Sequence, residues 1–217
     1  MKPGDFLLGV LDFFAIVLPG AMATWLAAQY VPASVVRGAI AFAAPEPSEW
    51  QVVTAFLLSS YTLGHFVFMA GSGLDRSYDR WRSRVKPKSH DVAYAAAARL
   101  QKKLNEELTG GELTTLKWAR TYIQVKAPHA RVEIDRLEAD HKFFRSVVVI
   151  GTLFAAHFLL RQGAPVPALA AAGLAALSYR RYLTRRWQMT ELIFATAAIV
   201  AAAGPTAAVP TAHADAT

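Results

Sequence analysis

Apolar positions in this chain fall into blocks separated by polar, mostly basic, stretches. The first block, Phe6–Ala27, is interrupted by Asp12 and by Pro19-Gly20, a pair that should bend a helix. The second, Val52–Ala70, stops at Gly71-Ser72-Gly73. The third, Val147–Leu160, is extended toward an interface by Phe143 and Phe144. The fourth, Ala168–Leu177, is Ala-rich and uses Val166 and Tyr179–Tyr182 to gain length. About 20 apolar residues cross the hydrocarbon core of a bilayer, so the blocks predict four transmembrane helices. Leu192–Ala203 falls short of that length and predicts a cytoplasmic or in-plane helix packed on its neighbours, with a fifth span as the alternative. The Pro/Ala/Thr-rich Gly204–Thr217 reads as a disordered tail. Lys2, the first apolar run and Ala21-Met22-Ala23 also imitate a signal peptide, but Asp5 and Asp12 favour a retained span.

Periodicity changes between the second and third blocks. Ser89 suits the cap of a helix over His90–Leu108, with Ala93, Ala96, Ala97, Leu100, Leu104 and Leu108 on one face. Gly110-Gly111 ends that helix. Glu112–Val125 forms a second, shorter one with Leu113, Leu116, Ala119 and Ile123 inward. Pro128 then opens a helix without a break signal until Leu160, about 50 Å long at 1.5 Å per residue. Its first half is charged and its second half apolar. The expected organisation is a transmembrane hairpin (1–74), a basic cytoplasmic helical domain (75–145), a second transmembrane hairpin (146–187), the short C-terminal helix (188–203) and the tail (204–217).

Composition agrees with a membrane protein. The 217 residues are 54% hydrophobic and 18% charged, against roughly 45–50% and 25% in soluble domains. The absence of cysteine excludes disulfides, thiolate nucleophiles and Cys-based zinc sites. The net charge of +7 is unevenly spread: sixteen of the 23 Lys and Arg lie between Arg76 and Arg145. The positive-inside rule therefore places that segment in the cytoplasm, with both termini beside it and Val31–Glu49 on the opposite side. The fold class is all-α: a polytopic integral membrane helical bundle of about four transmembrane helices with a cytoplasmic helical domain.

Three sets of residues could carry function. Asp12 and His65 fall at similar depth in the first two spans, where an ionisable group is costly; they form either a structural interhelical clamp or a proton- or ion-responsive pair. His157 sits near the opposite face. Along the long helix, Ala130, Ile134, Leu137, His141 and Phe144 step by four and three, and the series continues through Val148, Gly151, Ala155 and Phe158. Gly151 and Ala155 make a small-xxx-small pair suited to close helix approach. This seam either packs on the chain's own helices or forms an oligomer axis, with His141 lining a water-filled path. Finally, Arg76, Arg80, Arg82, Arg84, Lys86 and Lys88 interleave with Tyr78 and Trp81, and Arg180, Arg181, Arg185 and Arg186 with Tyr182 and Trp187. Both clusters suit anionic lipid headgroups and membrane orientation, or an anionic ligand held by its phosphates, with rings to stack on bases.

Enzymatic motifs are missing. Glu138-x-x-His141 is one half-site without a second copy, and no phosphate-binding loop, H-E-x-x-H or G-x-S-x-G occurs. Ser59, Ser60 and His65 share a span but lack an intramembrane protease motif. No metal or cofactor is expected.

The sequence resembles small uncharacterised bacterial four-span proteins with Asp–x₆–Pro-Gly in the first span (Asp12 to Pro19-Gly20) and Gly-His in the second (Gly64-His65). They share a Trp–Ala–Arg helix (Trp118-Ala119-Arg120). A further helix runs from Arg131-Val132-Glu133 to Glu138-Ala139-Asp140 and enters the third span at Phe143-Phe144-Arg145. It is also similar to membrane subunits of anti-phage defence operons, such as the channel effector of Hailong systems. That resemblance implies a homo-oligomeric pore in the bacterial inner membrane, held shut or opened by a nucleotide or oligonucleotide from a partner nucleotidyltransferase. It carries over no ligand residues. The alternative is a non-conducting anchor that docks a cytoplasmic partner through Ser89–Val125, and an enzyme acting on lipid comes third.

Overall fold

The computed structural model describes residues 3–32, 34, 48–85, 88–107 and 114–203, with side chains from residue 15 onward except at 88–90 and 104–107. The described chain is helical: α1 (Pro3–Ala28), α2 (Glu49–Ser72), α3 (Asp75–Arg84), α4 (Lys88–Glu107), α5 (Thr115–Lys126), a 3₁₀ turn (Pro128–Ala130), α6 (Arg131–Leu160) and α7 (Pro165–Ala203). The Val31–Glu49 connection is described only at its ends. The Gly110-Gly111 stop and the 204–217 tail lie outside the described residues.

Local chemistry explains the helix ends. At the start of α2, Gln51 reaches back to accept the Ser48 backbone N–H at 2.8 Å, which satisfies a donor that the first turn leaves over. At its end, Gly73 and Leu74 donate back to the carbonyls of Ala70 and Gly71, and the chain restarts as α3. Gly163, with φ of 60°, turns the chain between α6 and α7 in a conformation that only glycine adopts cheaply. Pro165 then takes the first position of α7.

The chain divides into two compact units, Met1–Val85 with Asp135–Arg186, and Lys86–Ile134 with Trp187–Thr217. In the first unit, small residues set the helix contacts. A β-carbon on Gly20 would fall 1.7 Å from the Ser60 carbonyl oxygen, and one on Gly64 would fall 2.2 Å from that of Ile16. A β-carbon on Gly151 would meet Ala175 Cβ at 3.1 Å. Tyr78, Tyr182 and Leu183 form an aromatic core with Leu74, Trp81, Phe144 and Tyr179 around it. In the second unit, Ala97, Trp118, Ala119, Ile123, Ile193, Phe194 and Ala197 are buried, and Tyr94 meets Phe194 edge-on at 5.4 Å.

Several boundaries differ from the sequence expectation. The basic stretch after Gly73 is a helix of its own, α3, and it belongs to the first unit together with 135–145. Residues 188–203 are not a separate helix: α7 runs unbroken for 39 residues, because no Gly or Pro interrupts Leu174–Ala203. Ser89 lies within the first turn of α4 instead of capping it.

Among the described residues, Glu49–Arg84 and Pro128–Leu160 are long and apolar enough to cross a membrane, and Ala15–Ala28 is a shorter apolar helix. Large apolar side chains stand on the surface of these helices, including Trp50, Leu58, Phe66 and Met69 of α2.

Candidate functional site

The densest polar arrangement in the first unit centres on Asp75, at the first position of α3. A carboxylate there is favoured by the helix dipole, and the turn at Gly73-Leu74 aims it at α6 and α7. Arg186 and Tyr182, one turn apart on α7, both reach it. Arg186 Nη1 donates to Asp75 Oδ1, and the Tyr182 hydroxyl donates to the same oxygen at 2.8 Å. Arg145 of α6 approaches both carboxylate oxygens at 3.4 and 3.5 Å. Arg186 also donates to the Tyr182 oxygen at 2.7 Å.

Aromatic faces hold the two guanidinium groups in place. Arg186 lies 4.3 Å from the Tyr78 ring centroid and Arg145 lies 4.4 Å from that of Phe68, both within cation–π range. Close beside, Ser77 of α3 hydrogen-bonds the Tyr179 hydroxyl of α7, and Arg185 pairs with Asp140 at 3.3 Å. Two cations therefore share one carboxylate, which remains partly open to solvent while Arg145 is buried. Arg145 Nε is buried with no hydrogen-bond partner among the described residues. The arrangement is a latch with surplus positive charge, suited to an anion.

His141 adjoins this latch. It is buried, tilts against Tyr182 at 6.2 Å, and its Nδ1 lies 3.2 Å from the Leu137 carbonyl oxygen. Its pKa is lowered to about 4, chiefly by burial; Arg186 and Arg145 act in the same direction, while the Leu137 carbonyl and Glu138 oppose the shift. A neutral, desolvated imidazole is the opposite of one lining a water-filled path, so this expectation is corrected. The rest of the seam is also covered by its own chain. Ile134 and Leu137 are buried, Phe144 packs on the Tyr78–Tyr182 core, and Gly151 meets Ala171 and Ala175 of α7. Ala155 is half-buried.

The basic clusters separate by role. Arg76, Arg80 and Arg84 recur every fourth residue on the exposed side of α3, and Arg180 and Arg181 are exposed on α7, whereas Arg82 is half-buried. Arg185 and Arg186 are engaged in the ion pairs above, so they are not free ligand-reading groups. The side chains of Lys86 and Lys88 lie outside the described residues, as does that of Asp12.

His65 is exposed on α2 and meets Tyr61 edge-on at 4.6 Å. It does not face the α1 contact, which α2 makes through Ser60 and Gly64. Ser60 is fully buried and donates to Thr24 Oγ1 at 3.4 Å, while Thr24 bonds the Gly20 carbonyl at 2.9 Å. The polar clamp of the hairpin is thus Thr24–Ser60, and Ser60 and His65 occupy different faces. At the other end of the unit, His157 is buried with Tyr30 Oη on Nδ1 at 2.9 Å and Gln162 Nε2 on Nε2 at 3.1 Å.

Sequence reasoning missed Asp75 and Arg145 as site residues, and it read Tyr182 as a stacking ring instead of a hydrogen-bond donor to Asp75. The available signal was a carboxylate at the head of a basic stretch, directly after a glycine turn. Among the described residues no cluster of three or more His, Cys, Asp or Glu could hold a metal ion. Compared with protein-family models, curated proteins and solved structures, the chain gives no significant match.

Proposed function

We propose that this chain is a polytopic inner-membrane protein that forms a homo-oligomeric pore, controlled by an anionic cytoplasmic ligand such as a nucleotide or oligonucleotide. The observation that carries this reading is the Asp75 latch. Donors from α6 and α7 converge on one carboxylate that sits directly after the apolar helix α2. Phosphate oxygens match a guanidinium fork at least as well as a carboxylate does. A ligand that takes Arg145 or Arg186 from Asp75 releases the end of α2 from α6 and α7. Exposed Arg76, Arg80, Arg180 and Arg181 would raise the local concentration of such an anion.

Membrane insertion has separate support. Only 17% of the most apolar window of Glu49–Arg84 is buried within the chain, whereas a core helix of a soluble protein would be mostly covered. Exposed apolar area on that scale needs lipid or a partner. With both termini cytoplasmic, the latch lies at the cytoplasmic ends of four spans. The resemblance to membrane subunits of anti-phage defence operons is what supports a defence role and a partner nucleotidyltransferase.

The test is conductance of the purified protein in planar bilayers, with and without added oligonucleotide, for the native chain and Asp75→Asn. The native chain should respond to the oligonucleotide, and Asp75→Asn should shift the current in its absence. Silence of both proteins at every ligand concentration removes the pore.

A second reading, a non-conducting anchor, rests on an open apolar groove in the second unit. Val92, Ala93, Ala96, Ala195, Ala198 and Ile199 line it, with Val92 70% and Ile199 68% exposed. It predicts that Val92→Lys with Ile199→Lys abolishes the cellular phenotype while Asp75→Asn leaves it intact. The reverse pattern favours the pore.

A further inference from the structure

The groove of the second unit is lined mostly by the smallest side chains. Ala93 and Ala96 of α4 and Ala195 and Ala198 of α7 line it, with the exposed Val92 and Ile199 beside them. Alanines on both helices leave space that a backbone with small side chains can fill. Glu191 is the charged residue of the lining. Its Oε2 accepts the Trp187 indole N–H at 3.1 Å, which leaves Oε1 as a second acceptor. All of these residues belong to one compact unit.

The chain itself brings such a segment to this place. α7 ends at Ala203, about one helical turn beyond Ile199, and Gly204–Thr217 follows, outside the described residues. Eleven of its fourteen residues are Gly, Ala, Pro or Thr, small enough for the groove. Gly204-Pro205 is a pair that favours a change of direction, and Pro210 favours extended backbone at about 3.1 Å per residue. Glu191 and Ile199 stand about 12 Å apart along α7, at 1.5 Å per residue. Val209 and His213 are also about 12 Å apart in an extended chain, so the two pairs match when the chain doubles back. The stretch from Ala203 to Val209 reaches up to about 19 Å, ample for a return of about 6 Å along the axis.

We propose that Gly204–Thr217 folds back along α7 into this groove, with Val209 against Val92 and Ile199 and the His213 imidazole donating to Glu191. A tether that starts one turn from the groove gives the segment an effective concentration in the millimolar range. Weak apolar contacts and one charge-assisted hydrogen bond are then enough to hold it. The proposal goes beyond the pore and anchor readings and depends on neither. A partner that uses this groove must first displace the tail.

The chain has no cysteine, so introduced cysteines report the contact in the full chain. The control position is Asp91, exposed beside Val92 but outside the groove lining. Val92→Cys with Val209→Cys should oxidise to an intramolecular disulfide about tenfold more than Asp91→Cys with Val209→Cys. Equal linkage, or linkage only between two chains, overturns the proposal. In the purified chain, Val92→Cys should react with a maleimide about tenfold slower than the same variant carrying Val209→Lys, while Asp91→Cys reacts alike in both. His213→Glu, which sets a second carboxylate against Glu191, should also speed the reaction at Val92→Cys. Unchanged rates in both tail variants overturn the tail as occupant. Slow labelling in whole cells with fast labelling of the purified chain puts a partner in the groove and overturns it as well.

Discussion

Gly20 of α1 and Gly64 of α2 pack so closely that a β-carbon on Gly20 would stand 2.8 Å from the Gly64 backbone nitrogen. The two glycines come from separate motifs, Pro19-Gly20 and Gly64-His65, and they meet at one helix crossing. Their role is packing, because each removes a side chain where another backbone needs the space.

A glycine series should therefore sort by contact. Gly20→Ala and Gly64→Ala force backbone against backbone and should cost about 1–3 kcal/mol or more. Gly151→Ala, whose new carbon meets Ala175 Cβ at 3.1 Å and the Ala171 carbonyl at 3.2 Å, should cost less. Gly173→Ala meets nothing within 4 Å and should stabilise by up to about 1 kcal/mol through helix propensity. Thermal unfolding in detergent gives the order.

Asp75→Ala leaves Arg145 and Arg186 without their shared carboxylate. Because Asp75 is partly exposed, the expected loss is about 1–3 kcal/mol, below that of a fully buried pair. Adding Arg186→Met should recover part of it, since one stranded charge is removed. A double-mutant cycle on unfolding midpoints measures the coupling; strict additivity would show that the pair does not interact.

His141 makes stability fall in acid. The unfolded chain takes up a proton near 6.5, whereas the folded chain resists until about 4. Between those values the unfolded state holds more protons, so stability is full above pH 6.5 and drops as pH falls toward 4, by on the order of 3 kcal/mol. His141→Leu should flatten that slope. Unfolding midpoints of both proteins from pH 7.5 to 4 provide the comparison.

In the second unit, Phe194 is buried against Tyr94. Phe194→Ala should cost about 3–5 kcal/mol and raise amide exchange in α4 and α5. Exchange in α1 and α2 should stay unchanged if the two units unfold separately.

The sequence by itself determined the helical class, the apolar blocks, α4 and α5 to within a few residues, and the inward positions Ala119 and Ile123. These follow from local spacing, because a helix places every third or fourth residue on one face whatever it later packs against. The same logic found a 4-3 seam on α6, but periodicity says only that a face exists, not what covers it. Tertiary structure decided that question: α7 and the Tyr78–Tyr182 core fill the α6 seam, while α2 buries only Ser60, Gly64, Val67 and Gly71 and leaves most of the rest of its surface, His65 included, exposed. It also decided which arginines are engaged. Arg180 and Arg186 look alike in sequence, yet only Arg186 of the two meets Asp75, 111 residues away, because six residues of helix point the two side chains about 120° apart and leave Arg180 exposed.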